Sequence, residues 1–243
     1  MTSGVDEGGR RVVPEKALSS GDIHVWVLDV TAPWYDALAD SGLASDSERR
    51  RALGMTNAEM ARALLARRAA LRQVMCRYLE LAPDDVDVVT APGGKPVLLP
   101  TKEAPALSFS IGHSGDRFGV AVGAAPTVGF DIERFRPVPR ADAIAERWFA
   151  SAEARSLDGL EGAELERAFM RVWTAKEALA KRHGAGLRLM MRGDVEELDT
   201  SSEEEAGRLK WVTPGDDYLA AIASSHEIEA VTIVVPEDGA WLE

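Results

Sequence analysis

Asp131 and Glu133 stand two residues apart in Val128-Gly129-Phe130-Asp131-Ile132-Glu133, a run rich in strand-forming residues. Side chains alternate along a strand, so both carboxylates leave one face while Ile132 enters the opposite layer. Like charges so placed repel unless a cation lies between them. Magnesium answers that need, because it takes a few carboxylates together with waters and substrate phosphates. Further on, Trp173-Thr174-Ala175-Lys176-Glu177-Ala178-Leu179-Ala180-Lys181 reads as a helix with Glu177 and Lys181 at i and i+4. The row Leu165, Ala168, Val172, Ala175 and Leu179 has helical spacing and anchors that helix to a sheet. Trp173, Glu177 and Lys181 then run beside the row. Three acids and a lysine brought together suit chemistry on a diphosphate.

Taken singly, each feature has a plainer explanation. Asp131 and Glu133 fit a solvated strand end, and Glu177–Lys181 fits a surface helix pair worth a few tenths of a kcal/mol. His113 alone reads as an ordinary loop or core histidine, Lys95 before Pro96 as an exposed turn, and Arg49 to Arg51 as a solvated helix face. Trp173 reads as packing. Their joint occurrence in order is what favours a site.

The elements that position them follow from pattern. Residues 1–20 read as a flexible polar tail, and residues 22–30 as a strand rich in Val, Ile and Trp. Residues 34–40 suit a short helix. Ser45-Asp46-Ser47-Glu48 reads as a helix start feeding the arginine run. Residues 57–81 carry the longest helical signal of the first half, capped by Asn57, with Leu64, Leu71, Met75 and Tyr78 as its apolar row and Pro83 as its stop. Residues 90–96 form a turn carrying Lys95. Strands are expected at 106–111 and 118–122 around a loop of Gly112, His113, Ser114 and Gly115. Helices at 141–149, from 151, and at 163–183 precede strands at 218–223 and 228–235. Glu196, Glu197, Asp199 and Glu203 to Glu205 make an acidic loop. The order predicts an α+β fold of two similar α/β subdomains, 21–125 and 126–243, related by a pseudo-twofold, with a site at the seam.

Composition excludes several classes. A net charge of −12 over 243 residues argues against general nucleic-acid binding. No apolar run approaches the roughly 20 residues a membrane span needs, and the first 20 lack a signal-peptide core. One cysteine, Cys76, excludes an internal disulfide framework. A cytoplasmic protein is expected.

The set Gly93-Gly94-Lys95-Pro96, Ser108 to Gly115 (SFSIGHSG), Val128 to Glu133 (VGFDIE), Arg147 to Glu153 (RWFASAE) and Trp173 to Leu187 (WTAKEALAKRHGAGL) resembles the 4′-phosphopantetheinyl transferases, in their larger Sfp-type form. The likeness spans about residues 45–187. It implies a magnesium-dependent transfer of the phosphopantetheine arm of coenzyme A to a serine of an acyl or peptidyl carrier protein, with release of 3′,5′-ADP. By resemblance, Asp131, Glu133 and Glu177 are the magnesium ligands, Glu177 doubles as general base, and Lys181 contacts the phosphate and assists the leaving group. Lys95, His113, Ser114 and Arg51 fall at coenzyme A contacts, and a monomer is implied. Arg49, Arg50, Arg62, Arg67 and Arg68 lie in the region of basic contacts to the 3′-phosphate.

One departure stands out. Members usually carry serine before the motif histidine, where this chain has Gly112. Ser110, Ser114 or loop N–H groups are then the alternative phosphate donors. An acidic carrier would need a local basic patch on this acidic protein, with Arg147, Arg171 and Arg188 as candidates. Two rival readings remain: a magnesium-dependent phosphotransferase or hydrolase on another nucleotide diphosphate, and a non-catalytic coenzyme A-binding module.

Overall fold

A computed structural model describes residues 18–91, 95–99, 107–184, 200 and 207–242. Gly93, Gly94, Leu187, Arg188 and the acidic stretch Glu196, Glu197, Asp199 and Glu203 to Glu205 lie outside the described residues, as does the tail up to residue 17. Leu18, at the end of that expected tail, packs against the core.

The first sheet is built around β1 (Asp22–Asp29), in the order β4-β5-β1-β9, with β4 Ser108–Ser114, β5 Arg117–Gly123 and β9 Ala230–Val234. β1 and β5 are antiparallel, whereas β9 returns from the end of the chain to lie parallel to β1. The second sheet has the order β6-β8-β7, with β6 Val128–Arg134, β7 Leu209–Gly215 and β8 Tyr218–Ser224. A two-stranded ribbon, β2 (Val88–Thr90) and β3 (Pro96–Leu98), carries Lys95 at its turn.

β1 is apolar on both faces because both are covered. Trp26 and Leu28 join Phe118, Val120 and Val122 of β5 against Ala69, Ala70, Leu71, Val74 and Met75 of α3 (Ala58–Leu79). On the other face, Ile23, Val25 and Val27 meet Phe130, Ile132, Ala220 and Ile222 of the second sheet. The far side of that sheet is covered by α6 (Gly162–Arg182), where Ala175, Ala178 and Leu179 sit on Ala221 and Ala223. The layers are therefore helix, sheet, sheet, helix, an α+β fold. Short helices complete it: α1 Pro33–Ala37, α2 Asp46–Leu53, α4 Ala141–Trp148 and α5 Ser151–Arg155.

The caps agree with the sequence. Ser45 and Glu48 form a capping box, Glu48 accepting from Ser45 N at 2.8 Å, and Asn57 accepts from Met60 N at 3.0 Å. The stop of α3 is different from expectation. Glu80, in the left-handed region at φ 54°, ends it before Pro83 is reached. The expected loop at 112–115 is also corrected. Gly112, His113 and Ser114 are ladder residues of β4, paired with Gly119, Phe118 and Arg117, so the turn shrinks to Gly115 and Asp116. β7 had no strand signal, since Pro214 and Gly215 break the pattern; it is tolerated because β7 is an edge strand with an irregular register there.

Gly129 sets how closely α6 lies on β6. A Cβ built there would fall 1.8 Å from Ala178 O and 2.5 Å from Arg182 N, both backbone atoms that no rotamer change can move. Gly129→Ala is expected to lower stability by more than about 3 kcal/mol, read as a drop in the thermal midpoint; a midpoint within a few degrees of the parent would refute this packing.

Candidate active site

The two sheets meet at the edges of β4 and β6, and side chains stitch them where a ladder would otherwise run. Ser110 Oγ accepts from Phe130 N at 3.0 Å, and Ser114 Oγ accepts from Arg134 N at 3.2 Å. The Lys181 ammonium, at the end of α6, donates to Ile111 O of β4 at 3.1 Å, Phe130 O of β6 at 3.0 Å and Asp131 Oδ1 at 2.8 Å. Gly112 lets the strands close. A Cβ on it would lie 3.2 Å from Asp131 Cα and 3.3 Å from Asp131 Oδ1. The extended ladder geometry offers no amide nest for phosphate here, and both neighbouring serine hydroxyls accept from β6, Ser110 with its own O–H not used by that bond. Ser114, expected at coenzyme A, donates to Glu133 Oε2 at 2.6 Å and fixes that carboxylate.

The alternation of β6 holds: Ile132 is fully buried in the core, while Asp131 and Glu133 leave by the other face. The cation between the acids is Lys181, which pairs with Asp131 and not with Glu177, its i−4 neighbour. Burial raises the pKa of Asp131 against the pull of Lys181. Burial likewise raises Glu133, with Asp131 adding to it, against the bond from Ser114. Glu177 is pushed up to about 7, first by burial and then by the charge of Asp131 and Glu133, with Lys181 opposing. A carboxylate poised there can exchange a proton near neutral pH.

Beside this acid row lies a cavity of about 330 Å³ lined by Arg51, Arg67, Arg68, Lys95, His113 and Lys181, over the apolar side chains Leu64, Ile111 and Phe118. Among the described residues, every charged side chain in its wall is cationic. Arg68 is only 7% exposed; its Nε lies 3.3 Å from Glu48 Oε1, but neither Nε nor Nη1 has an aligned hydrogen-bond acceptor. A buried guanidinium with unused donors calls for an anion. Burial first, then Arg67 and Lys181, lower the pKa of His113, so its ring is neutral at neutral pH. The remaining arginines sort cleanly. Arg49 is held by Asp46 and Gly42 O, Arg62 is chelated by Asp36 and Asp40, and Arg50 does not line the cavity. Arg67 and Arg68 could have been picked from the sequence, because they stand at i+3 and i+4 from Leu64 on the apolar face of α3.

A second ion pair secures the helix that carries Glu177. Lys176 Nζ meets Glu153 Oε2 at 2.8 Å with both side chains buried, and Glu153 also accepts from Ala150 N and Thr200 N. The lysine beside Glu177 and the glutamate of the Arg147 to Glu153 motif are thus structural partners, a link sequence spacing did not reveal. Trp173 packs as expected, stacked on Phe169 at 6.0 Å. Arg171 lies 3.9 Å over the Trp211 ring and Arg147 lies 4.8 Å over Trp148.

The donor set suits magnesium chemically. Asp131 Oδ2 is buried with no hydrogen-bond partner, and Glu133 and Glu177 lie within electrostatic range of Asp131. Among the described residues, however, no three acid, histidine or cysteine side chains are gathered into a ready-made cage. The raised Glu177 carboxyl makes a separate prediction for metal-free protein. Its folded pKa of about 7 exceeds the ordinary 4.5, so its contribution is present below pH 4.5 and is lost as pH rises through 7. Glu177→Gln is therefore expected to gain on the parent, by up to about 2 kcal/mol, between pH 5 and pH 8 in thermal melts with chelator. An offset constant across that range would refute it.

The comparisons with known proteins came to the same family. Residues 127–231 match the model of the 4'-phosphopantetheinyl transferase superfamily. The chain is 27% identical over 214 residues to the 4'-phosphopantetheinyl transferase HetI of a Nostoc species, covering 86% of this chain and 90% of that protein. It is 31% identical over 155 residues to a putative 4'-phosphopantetheinyl transferase of a Synechocystis species, 64% of this chain and 61% of that one. With the 4'-phosphopantetheinyl transferase Sfp of Bacillus subtilis it shares 29% identity over 180 residues, 69% and 77% of the two chains. The acid pair of β6, the α6 motif and these relatives agree: residues 127–231, which hold both motifs, belong to the 4'-phosphopantetheinyl transferase superfamily.

Proposed function

We propose that this transferase moves the phosphopantetheine arm of coenzyme A onto a serine hydroxyl of an apo acyl or peptidyl carrier protein, of the kind used by fatty-acid, polyketide or nonribosomal-peptide synthases. The observation that carries the reading is the all-cationic cavity abutting the acid row, with Lys181 on their border. Coenzyme A is polyanionic, and Arg51, Arg67 and Arg68 would neutralise its phosphates while Leu64 and Phe118 offer apolar surface. In the reaction the serine oxygen bonds to the arm's phosphorus, the bond to the bridging oxygen breaks, and 3′,5′-ADP leaves. Glu177 takes the serine proton, directly or through a water. Lys181 offsets charge on the leaving phosphate. Asp131, Glu133 and Glu177 would hold magnesium, whose contribution is to neutralise the diphosphate.

The two-half, Sfp-type form and a monomeric state fit a cleft whose walls come from both halves of one chain. The arginines over Trp148 and Trp211 offer an acidic carrier a basic, aromatic face.

Intact mass spectrometry of apo carrier proteins, incubated with this protein, coenzyme A and magnesium, tests the reading. A gain of one phosphopantetheine arm is expected, slowed at least about 100-fold by Glu177→Gln. Release of 3′,5′-ADP without a mass gain on any carrier would point to a hydrolase, and neither product would leave binding alone.

A further inference from the structure

Lys95, like Lys181, is a cation of the cavity that is engaged on the protein side. Its Nζ donates to Lys181 O at 2.7 Å and to Val128 O at 3.1 Å. An ammonium has three donors, so two are committed before any ligand arrives. The acceptors belong to different elements. Lys181 O lies in the last turn of α6, where a cation is favoured, and it also accepts from Gly184 N at 3.1 Å. Val128 O opens β6, two residues before the Phe130 carbonyl that the Lys181 ammonium holds. Lys95 itself comes from the first half of the chain, at the mouth of β3 and just ahead of Pro96, whose ring limits the backbone there.

The two lysines form a relay. Lys95 grips the main chain of Lys181, and the side chain of Lys181 grips Asp131 and both sheet edges. Three acceptors must be met at once by one ammonium at the end of a helix, so a small shift of that last turn breaks the set. Burial and the nearby Lys181 charge both disfavour a second free ammonium here, and the two carbonyls offset that cost.

We propose that Lys95 is a positioning residue for Lys181, clamping the last turn of α6 to β6, and that it does not bind coenzyme A phosphate through its own ammonium. Its effect on catalysis rests on the transfer reaction proposed above; the clamp itself does not. Without Lys95, α6 frays at its end and Lys181 loses its aim at Asp131.

Two measurements on Lys95→Met separate the possibilities. Amide hydrogen exchange of the ligand-free protein reads the clamp directly at His183 and Gly184, whose N–H groups bond to Leu179 O and Lys181 O. Exchange there is expected to quicken roughly five- to tenfold, with β1 and α3 unchanged. In the transfer assay kcat should fall at least about tenfold while KM for coenzyme A stays within about twofold, and Lys95→Arg should recover much of both signals. Unchanged exchange in Lys95→Met, or a KM raised about tenfold with kcat intact, would overturn the proposal and make Lys95 a phosphate ligand. Should the parent protein transfer nothing to any carrier, the exchange result still decides the clamp, and calorimetric titration of 3′,5′-ADP replaces the kinetics.

Discussion

Everything at this site depends on two sheet edges that face one another without forming a ladder. Edge strands carry unpaired N–H and C=O groups, and burying them unmet is costly. Here β4 and β6 solve the problem with side chains. Ser110 and Ser114 accept the amides of Phe130 and Arg134, and the Lys181 ammonium takes one carbonyl from each strand. The bonds that close the seam are therefore made by groups able to do chemistry. A continuous ladder would have closed the seam with main-chain bonds alone; the side-chain seam leaves it lined by charges of both signs.

That seam explains which residues share the site. Asp131 is buried because β4 lies close against it, which Gly112 allows by having no Cβ. Glu177 is raised first by its own burial and then by the charges of Asp131 and Glu133 beside it. On the other side of Lys181 the described wall is wholly cationic, and the unused donors of Arg68 are buried in it. Acids and bases that would cancel if mixed are segregated, with one ammonium as the boundary. A substrate with its negative charge at one end and its reacting bond at the boundary matches that division.

Much of this was legible in the sequence, for physical reasons that differ by residue. Alternation placed Asp131 and Glu133 on one face because a strand has period two, and helical spacing placed Glu177 and Lys181 on one side of α6. Local caps at Ser45 and Asn57 were legible because capping is decided within three residues. What pattern could not supply was tertiary choice. Lys181 turns to Asp131 over its own helical neighbour Glu177. Ser114 serves Glu133, and Lys176 meets Glu153 across 23 residues of sequence. β7 was hidden because Pro214 is harmful only in a strand paired on both sides, and β7 is an edge.

The return of β9 to β1 has a consequence for how the molecule comes into being. β9 forms the far edge of the first sheet, pairing Asp22 to Trp26 with Ala230 to Val234 across some two hundred residues of chain. Parallel pairing over such a separation closes late, because the long loop must be ordered before any bond rewards it. A ribosome that has delivered the first half has delivered an incomplete sheet, with the flank of β1 still bare. The first half gains the finished edge of its sheet only from β9, a strand of the second half, so that sheet closes only after both halves have been made.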